Sequence, residues 1–368
     1  MLASLCLAAV QIVSVQAAVP LAEDAELAVR AERLIAETGS PGAVMMLADD
    51  GMVRIGTAGV RERGRDAAIA PDDLWHIGSD TKAMTATLVA RLAERGTVSW
   101  DDTIGDRLGE AVPGMDPAYR DLTFRHLLSH RAGLVANPGM LALVGFATSD
   151  APLGEQRLDY ARGVLSREPA AVPEDEFLYS NAGYVVAGAM LEQATGQSWE
   201  ALMQAEVFEP LGMTSAGFGA PGTADGLDQP RGHRGGLFGR LNSVTPGPRA
   251  DNPPVMGPAG TVHVSMPDLA RFLRAHLDEP EDFLSAQSWA QLHTPPFGGD
   301  YAMGWGVDAD GRLQHAGSNT MWFVLVGVDP VAGRVMAIGV NDGRIDRVAA
   351  PVRAAMETLA EAGEQAGD

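Results

Sequence analysis

The chain has 368 residues, 46% of them hydrophobic and 20% charged, which is enough apolar material for one large domain or two ordinary ones. A formal net charge of −21 makes nucleic acid and anionic membrane surfaces poor partners, because both are repelled. The single cysteine, Cys6, excludes an intramolecular disulfide and a cysteine-ligated metal centre.

Residues 1–19 are apolar and uncharged and end in small side chains. This is a signal-peptide pattern, except that no Lys or Arg precedes the apolar run. We expect export to the periplasm or beyond, with cleavage after Val15-Gln16-Ala17; an uncleaved anchor is the alternative. Past residue 20 no apolar run is long enough to span a bilayer, so no stable membrane insertion is expected after cleavage. Residues 24–38 have helical spacing and are stopped by Gly39 and Pro41. Apolar runs at 42–47 and 52–60, split by Asp49-Asp50-Gly51, predict a β-hairpin. A helix is predicted to begin at Ser79, with Met84, Leu88 and Leu92 on one stripe and Gly96 as its stop.

From 101 to 215 the pattern is mostly helical, as at 124–129, 182–195 and 198–208. Residues 217–260 are rich in Gly and Pro and lack periodicity, which predicts a long loop acting as a lid or mobile segment. Helical spacing returns at 267–277. Short apolar runs at 303–307, 313–316, 321–328 and 334–340 predict strands, the last two joined by a turn from Asp329-Pro330 to Gly333. A helix over 347–362 closes the chain. Strands at both ends around a helical middle predict one sheet built from the two chain ends.

Of 27 Lys+Arg residues only one is lysine, Lys82, and it stands three positions after a serine in Ser79-Asp80-Thr81-Lys82. A guanidinium keeps its proton in a protein, whereas a buried ammonium can lose one. Ser-x-x-Lys at a helix start sets both side chains on one face, where the amine can take the hydroxyl proton and create a nucleophile. The competing reading is a surface lysine beside a chance serine. Two further clusters follow: Tyr179-Ser180-Asn181 heads the helix at 182–195, and His315-Ala316-Gly317 ends a strand just before Ser318. Tyr179 also fits a buried core tyrosine, and His315 a packed strand end. His126 and His130 are four apart, as in a helical zinc pair. No glutamate follows His126 and no third ligand is in view, so a structural turn and no metal are expected. Gly-x-Ser-x-Gly does not occur.

In this order and spacing, Ser79-x-x-Lys82, Tyr179-x-Asn181 and His315-x-Gly317 resemble the three motifs of the class C β-lactamase-related serine hydrolases. That family includes class C β-lactamases, D-Ala-D-Ala carboxypeptidases and a group of esterases. The stretches LTFRHLLSHRAGL (122–134), GQSWEALMQAEVFEPLGM (196–213), GPAGTVHVSMPDLARF (257–272) and YAMGWGV (301–307) agree with it, so the resemblance spans roughly residues 25–345. It implies an α/β fold of the β-lactamase/transpeptidase type, with an antiparallel sheet flanked by helices beside a helical lobe. Residues 20–366 would form the catalytic domain, with the sheet lobe at 20–100 and 300–366 and the helical lobe and loops at 101–299.

By the same resemblance Ser79 would attack a carbonyl and be acylated, and Lys82 and Tyr179 would share the acid–base work. Asn181 would hold Lys82 and bind substrate, with His315 and Gly317 supporting the substrate. The backbone N–H groups of Ser79 and Ser318 would form the oxyanion hole. No metal or organic cofactor is implied. The amine and the phenol both start near a pKa of about 10, so each would need a large downward shift to act at neutral pH. The expected substrate is a small ester, amide or peptide-like molecule. Class C β-lactamases carry Lys-Thr-Gly at the third motif, and His-Ala-Gly removes both a permanent cation and a hydroxyl. Esters or small amides are therefore favoured over β-lactams, with Arg344 either a surface cation or a substitute charge. An acyltransferase with the same machinery, or a non-catalytic penicillin- or muropeptide-binding module, is the rival reading.

Overall fold

The computed structural model describes residues 20–236, 239–247 and 250–362. The signal-peptide pattern and Cys6 lie outside the described residues. The chain begins with β1 (Leu21–Glu23), α1 (Ala25–Thr38) and the hairpin β2 (Gly42–Asp49) and β3 (Met52–Gly59). Strand β4 (Leu74–His76) leads through a 3-10 turn at Gly78–Asp80 into α2 (Thr81–Glu94). Helices α3 (Ile104–Leu108), α4 (Phe124–Leu128), α5 (Met140–Ala147), α6 (Leu153–Leu165), α7 (Asn181–Thr195) and α8 (Trp199–Met203) follow. Next come β5 (Gly217–Phe218), β6 (Gly232–Gly235), β7 (Leu241–Val244), α9 (Gly257–Gly260), β8 (Val262–Ser265), α10 (Met266–Asp278) and α11 (Ala286–His293). The last part is β9 (Gly306–Val307), β10 (Leu313–Ser318), β11 (Phe323–Asp329), β12 (Arg334–Val340) and α12 (Ile345–Ala362).

Seven strands form the main sheet in the order β1-β3-β2-β12-β11-β10-β9, so both ends of the chain contribute to it. The ends meet where β12 pairs antiparallel with β2, from Val335 opposite Ala48 to Val340 opposite Ala43. Strand β2 is buried on both faces, and its side chains alternate between two cores as a period of two requires. Val44, Met46 and Ala48 enter the core shared with the helical part, while Ala43, Met45 and Leu47 enter the smaller core under α1 and α12. Asp24 caps α1 by accepting from Glu26 N and Leu27 N at 2.8 and 3.0 Å, and Gly39 ends it in the left-handed conformation. Leu27, Ala31 and Leu34 then face the sheet, as the apolar spacing of residues 24–38 requires. Helix α2 differs: Thr81 to Ala90 are all buried, so it runs through the middle of the larger core.

Three sequence expectations change here. Helix α2 begins at Thr81, and Ser79 sits in the preceding 3-10 turn, because Gly78 takes φ +51° and bends the chain before the helix starts. The strand expected at 303–307 shortens to Gly306–Val307 because Gly304 takes φ +79° and brings the backbone onto α2; a Cβ there would lie 2.7 Å from Ala83 Cα. The stretch 217–260 is not one long loop. It supplies β5, the β6–β7 hairpin and α9, and its Gly and Pro residues mark the turns between these short pieces. No helix among the described residues is long and apolar enough to cross a membrane.

Candidate active site

The turn at Gly78–Asp80 lies directly on strand β10. A Cβ on Gly78 would stand 2.3 Å from Ser318 N, and one on Gly317 would stand 1.8 Å from Ile77 O. Both glycines are therefore needed for the two backbones to touch, and the contact sets Ser79 beside Ser318. Gly317 thus serves close approach, which its place in the third motif does not by itself reveal.

Lys82 occupies the first turn of α2 and is fully buried. Its Nζ lies 3.1 Å from Ser79 Oγ, 2.7 Å from Asn181 Oδ1 and 2.7 Å from the Ala259 carbonyl. A neutral amine has two hydrogens and one lone pair. Donation to the two carbonyl oxygens leaves the lone pair for the Ser79 hydroxyl. Burial lowers the Lys82 pKa to about 7, against an opposing pull from Asp80. Tyr179 moves the other way. Burial raises its hydroxyl to about 12, with a hydrogen bond to Ser79 partly offsetting and the Asp80 charge adding to the rise. The downward shift expected of both groups is found only on the amine; Tyr179 stays protonated at neutral pH, since no cation touches its oxygen while the site walls exclude water. Its ring centroid lies 5.0 Å from Lys82 Nζ.

Asn181 is the first residue of α7. Ser180 caps that helix by accepting from Gly183 N at 3.1 Å and donates its own hydroxyl to the Val135 carbonyl at 2.7 Å. With Asn181 Oδ1 on Lys82, the Asn181 amide donates to Asn137 Oδ1 at 3.0 Å.

His315 is buried on β10 between two partners, with Nδ1 3.1 Å from Asp80 Oδ1 and Nε2 3.1 Å from the Tyr301 hydroxyl. Burial, reinforced by Lys82, drives its pKa down to about 3, and burial raises the Asp80 carboxyl. Both directions favour an uncharged hydrogen bond between the two over an ion pair. His315 therefore offers no positive charge to a substrate; it ties the third motif to the turn that carries Ser79.

The β-lactamase family model matches residues 27–358. The chain belongs to this family. It is 31% identical over 334 residues to penicillin-binding protein 4 of Amycolatopsis lactamdurans, covering 85% of this chain and 84% of that protein. The octameric penicillin-binding protein homologue from Pyrococcus abyssi superposes with a TM-score of 0.69 at 25% identity, over 84% of this chain and 72% of that one. EstCE1, described as a hydrolase with promiscuous acyltransferase activity, has the same fold, with a TM-score of 0.72 at 21% identity over 89% and 96% of the two chains. The β-lactamase-type fold expected from the motifs is the fold observed.

Within this β-lactamase-family site, four contributors escaped the sequence reading. The Ala259 carbonyl comes from the stretch expected to be a lid. Asp80 was visible inside Ser-x-x-Lys, but its partner is 235 residues away. Tyr301 lies in YAMGWGV, a stretch that showed likeness without a role. His130, at φ +60°, braces the second motif twice: its carbonyl accepts from Leu178 N at 3.0 Å and its Nδ1 from Ser180 N at 3.1 Å. Its ring packs 4.3 Å from that of Tyr179. His126 is occupied separately, its Nδ1 accepting from Thr123 N at 3.0 Å at the start of α4 and its Nε2 lying 3.0 Å from Glu174 Oε1. Arg344 is held by Asp342, with Nε 3.0 Å from Oδ1, and donates to the Thr38 carbonyl at 3.2 Å, so it is not available as a substitute charge. A cleft of about 600 Å³ opens beside Tyr179 and His315 and runs along β10 to α12.

Proposed function

We propose that this protein is a serine hydrolase that forms an acyl-enzyme on Ser79 with small ester, amide or peptide-like substrates. One observation carries the reading: a buried amine with a pKa near 7 lies 3.1 Å from one hydroxyl, with its hydrogens directed to carbonyl oxygens. In the first step Ser79 Oγ bonds to the substrate carbonyl carbon as its proton passes to Lys82 Nζ. The backbone N–H groups of Ser79 and Ser318 receive the negative charge that develops on the carbonyl oxygen. Tyr179, protonated at working pH, hands a proton to the departing alcohol or amine and is reprotonated from Lys82. Water then enters by the reverse sequence and releases the acid.

Esters and small amides are favoured over β-lactams. The third motif supplies only neutral imidazole where class C β-lactamases carry a lysine, and Arg344 is engaged elsewhere. Export through the N-terminal segment belongs to the same proposal and is tested by sequencing the mature N-terminus. For the activity, p-nitrophenyl butyrate is expected to turn over, and a fluorophosphonate is expected to form one adduct, mapped to Ser79. Labelling at another residue, or stoichiometric labelling with no turnover of any ester or amide, would count against the proposal.

A further inference from the structure

The third motif lacks a cation, but the cleft beside it does not. Its catalytic-side wall is made by Tyr179, Tyr301 and His315, and its far wall by Arg353 and Glu357 of α12, with Gln314 of β10 between them. Helix α12 buries Val348, Val352 and Leu359 against the sheet, so Arg353, one position beyond Val352, falls on the exposed side, facing the cleft. Among the described residues its guanidinium has neither an ion pair nor a hydrogen bond, and Glu357, one turn on at i+4, does not close on it. Arg344 and Arg347, on the preceding turns, are both held on the Thr38 carbonyl. Arg353 thus combines a permanent charge, a forked set of donors and an open cleft that reaches Tyr179, which is hydrogen-bonded to Ser79.

We propose that Arg353 is a specificity-determining residue that binds a carboxylate on the leaving-group side of the substrate. The charge that class C β-lactamases place on the third motif is here carried by the C-terminal helix. The inference rests on the serine hydrolase reading and narrows its substrate class to esters and amides whose departing half is a monoanion. Glu357 sets the limit of one negative charge, since a second anionic group near α12 would be repelled. A carboxylate placed there would meet a guanidinium in a cleft sheltered from bulk water, where a forked pair gains more than on open surface.

The test uses two esters that differ only in this charge, m-carboxyphenyl phenylacetate and m-carbamoylphenyl phenylacetate. Wild type should favour the carboxylate ester in kcat/KM. Arg353→Gln should lower kcat/KM for it by about tenfold, mainly through KM, and leave the carboxamide ester within about twofold. Glu357→Gln should move the carboxylate ester the opposite way, by about two- to threefold. Both residues are exposed, so neither substitution removes core packing. Equal effects of Arg353→Gln on the two esters, or none on either, overturn the assignment. If neither ester acylates Ser79, the hydrolase reading fails on its own. Calorimetric binding of the same two esters to Ser79→Ala and to Ser79→Ala/Arg353→Gln then decides the role of Arg353, with loss of the charge preference supporting it and an unchanged preference refuting it.

Discussion

Two fully buried cations occupy this fold, and they are treated in opposite ways. Arg157 of α6 is paired with Glu192 of α7 and with Glu200 of α8, its Nη1 lying 3.2 Å from Glu200 Oε2, and its Nε donates to the Val255 carbonyl at 3.3 Å. Two carboxylates surround a group that cannot lose its proton, so the charge is fixed and three helices are clamped together. Lys82 of α2 touches only neutral oxygens, those of Ser79, Asn181 and Ala259. With no carboxylate in contact, burial wins and the amine's pKa falls to about 7. A buried cation given counter-charges becomes a fastener; one given carbonyls becomes a proton carrier.

The contrast breaks most sharply at Lys82→Arg. This keeps the charge, removes the proton equilibrium, and should cut turnover about 10⁴-fold or more while circular dichroism stays native. Retention of even a tenth of the activity would remove Lys82 from the mechanism. Arg157→Met leaves Glu192 and Glu200 without their partner and should cost about 3–5 kcal/mol in urea unfolding, with turnover per folded molecule nearly unchanged. A large loss of turnover in the folded fraction would show that the clamp reaches the active site.

The pH profile sharpens the same point. If the free amine is the base, kcat/KM should rise with pH and level off above about 7; a limb centred near the ordinary lysine range would mean the amine is not dehydrated as described. The smallest effect is on stability. The folded pKa is depressed to about 7 from 10.5, so between these values the unfolded chain holds the proton more tightly. The resulting penalty is absent above pH 10.5, grows as pH falls, and is constant below about 7. Lys82→Met should therefore be more stable than wild type at pH 7, by about 1–3 kcal/mol after allowing for two orphaned carbonyl oxygens, and the two should converge near pH 10.5. Parallel melting curves with no convergence would refute the linkage. At Arg157 the same swap to methionine destabilises, so the two substitutions differ in sign.

Which parts of this could be read from the chain follows from how local they are. Ser79 and Lys82 lie one turn apart, and Tyr179 and Asn181 share a helix cap, so their spacing survives in the sequence. The alternation along β2 and β12 and the stripe on α1 are local in the same sense, which is why both ends of the sheet were legible. What stayed hidden depends on contacts between distant backbones. No pattern within 217–260 marks Ala259 as the acceptor for an amine on α2. His130 looked like half of a metal pair because its real partners, Leu178 and Ser180, are met only in three dimensions. Tyr179 shows the limit for electrostatics: residue type suggested a phenolate, but the direction of its shift depends on how completely the pocket excludes water.

The hydrogen bond from Lys82 to the Ala259 carbonyl joins residues 177 positions apart, and the one to Asn181 joins residues 99 apart. While the chain is still being synthesised, its only lysine is a hydrated ammonium and its serine an inert alcohol. Chemical competence then arrives as one of the last events of maturation, which protects the growing polypeptide from acylating itself. Reaction with an electrophilic probe should accordingly count correctly assembled molecules and ignore all others.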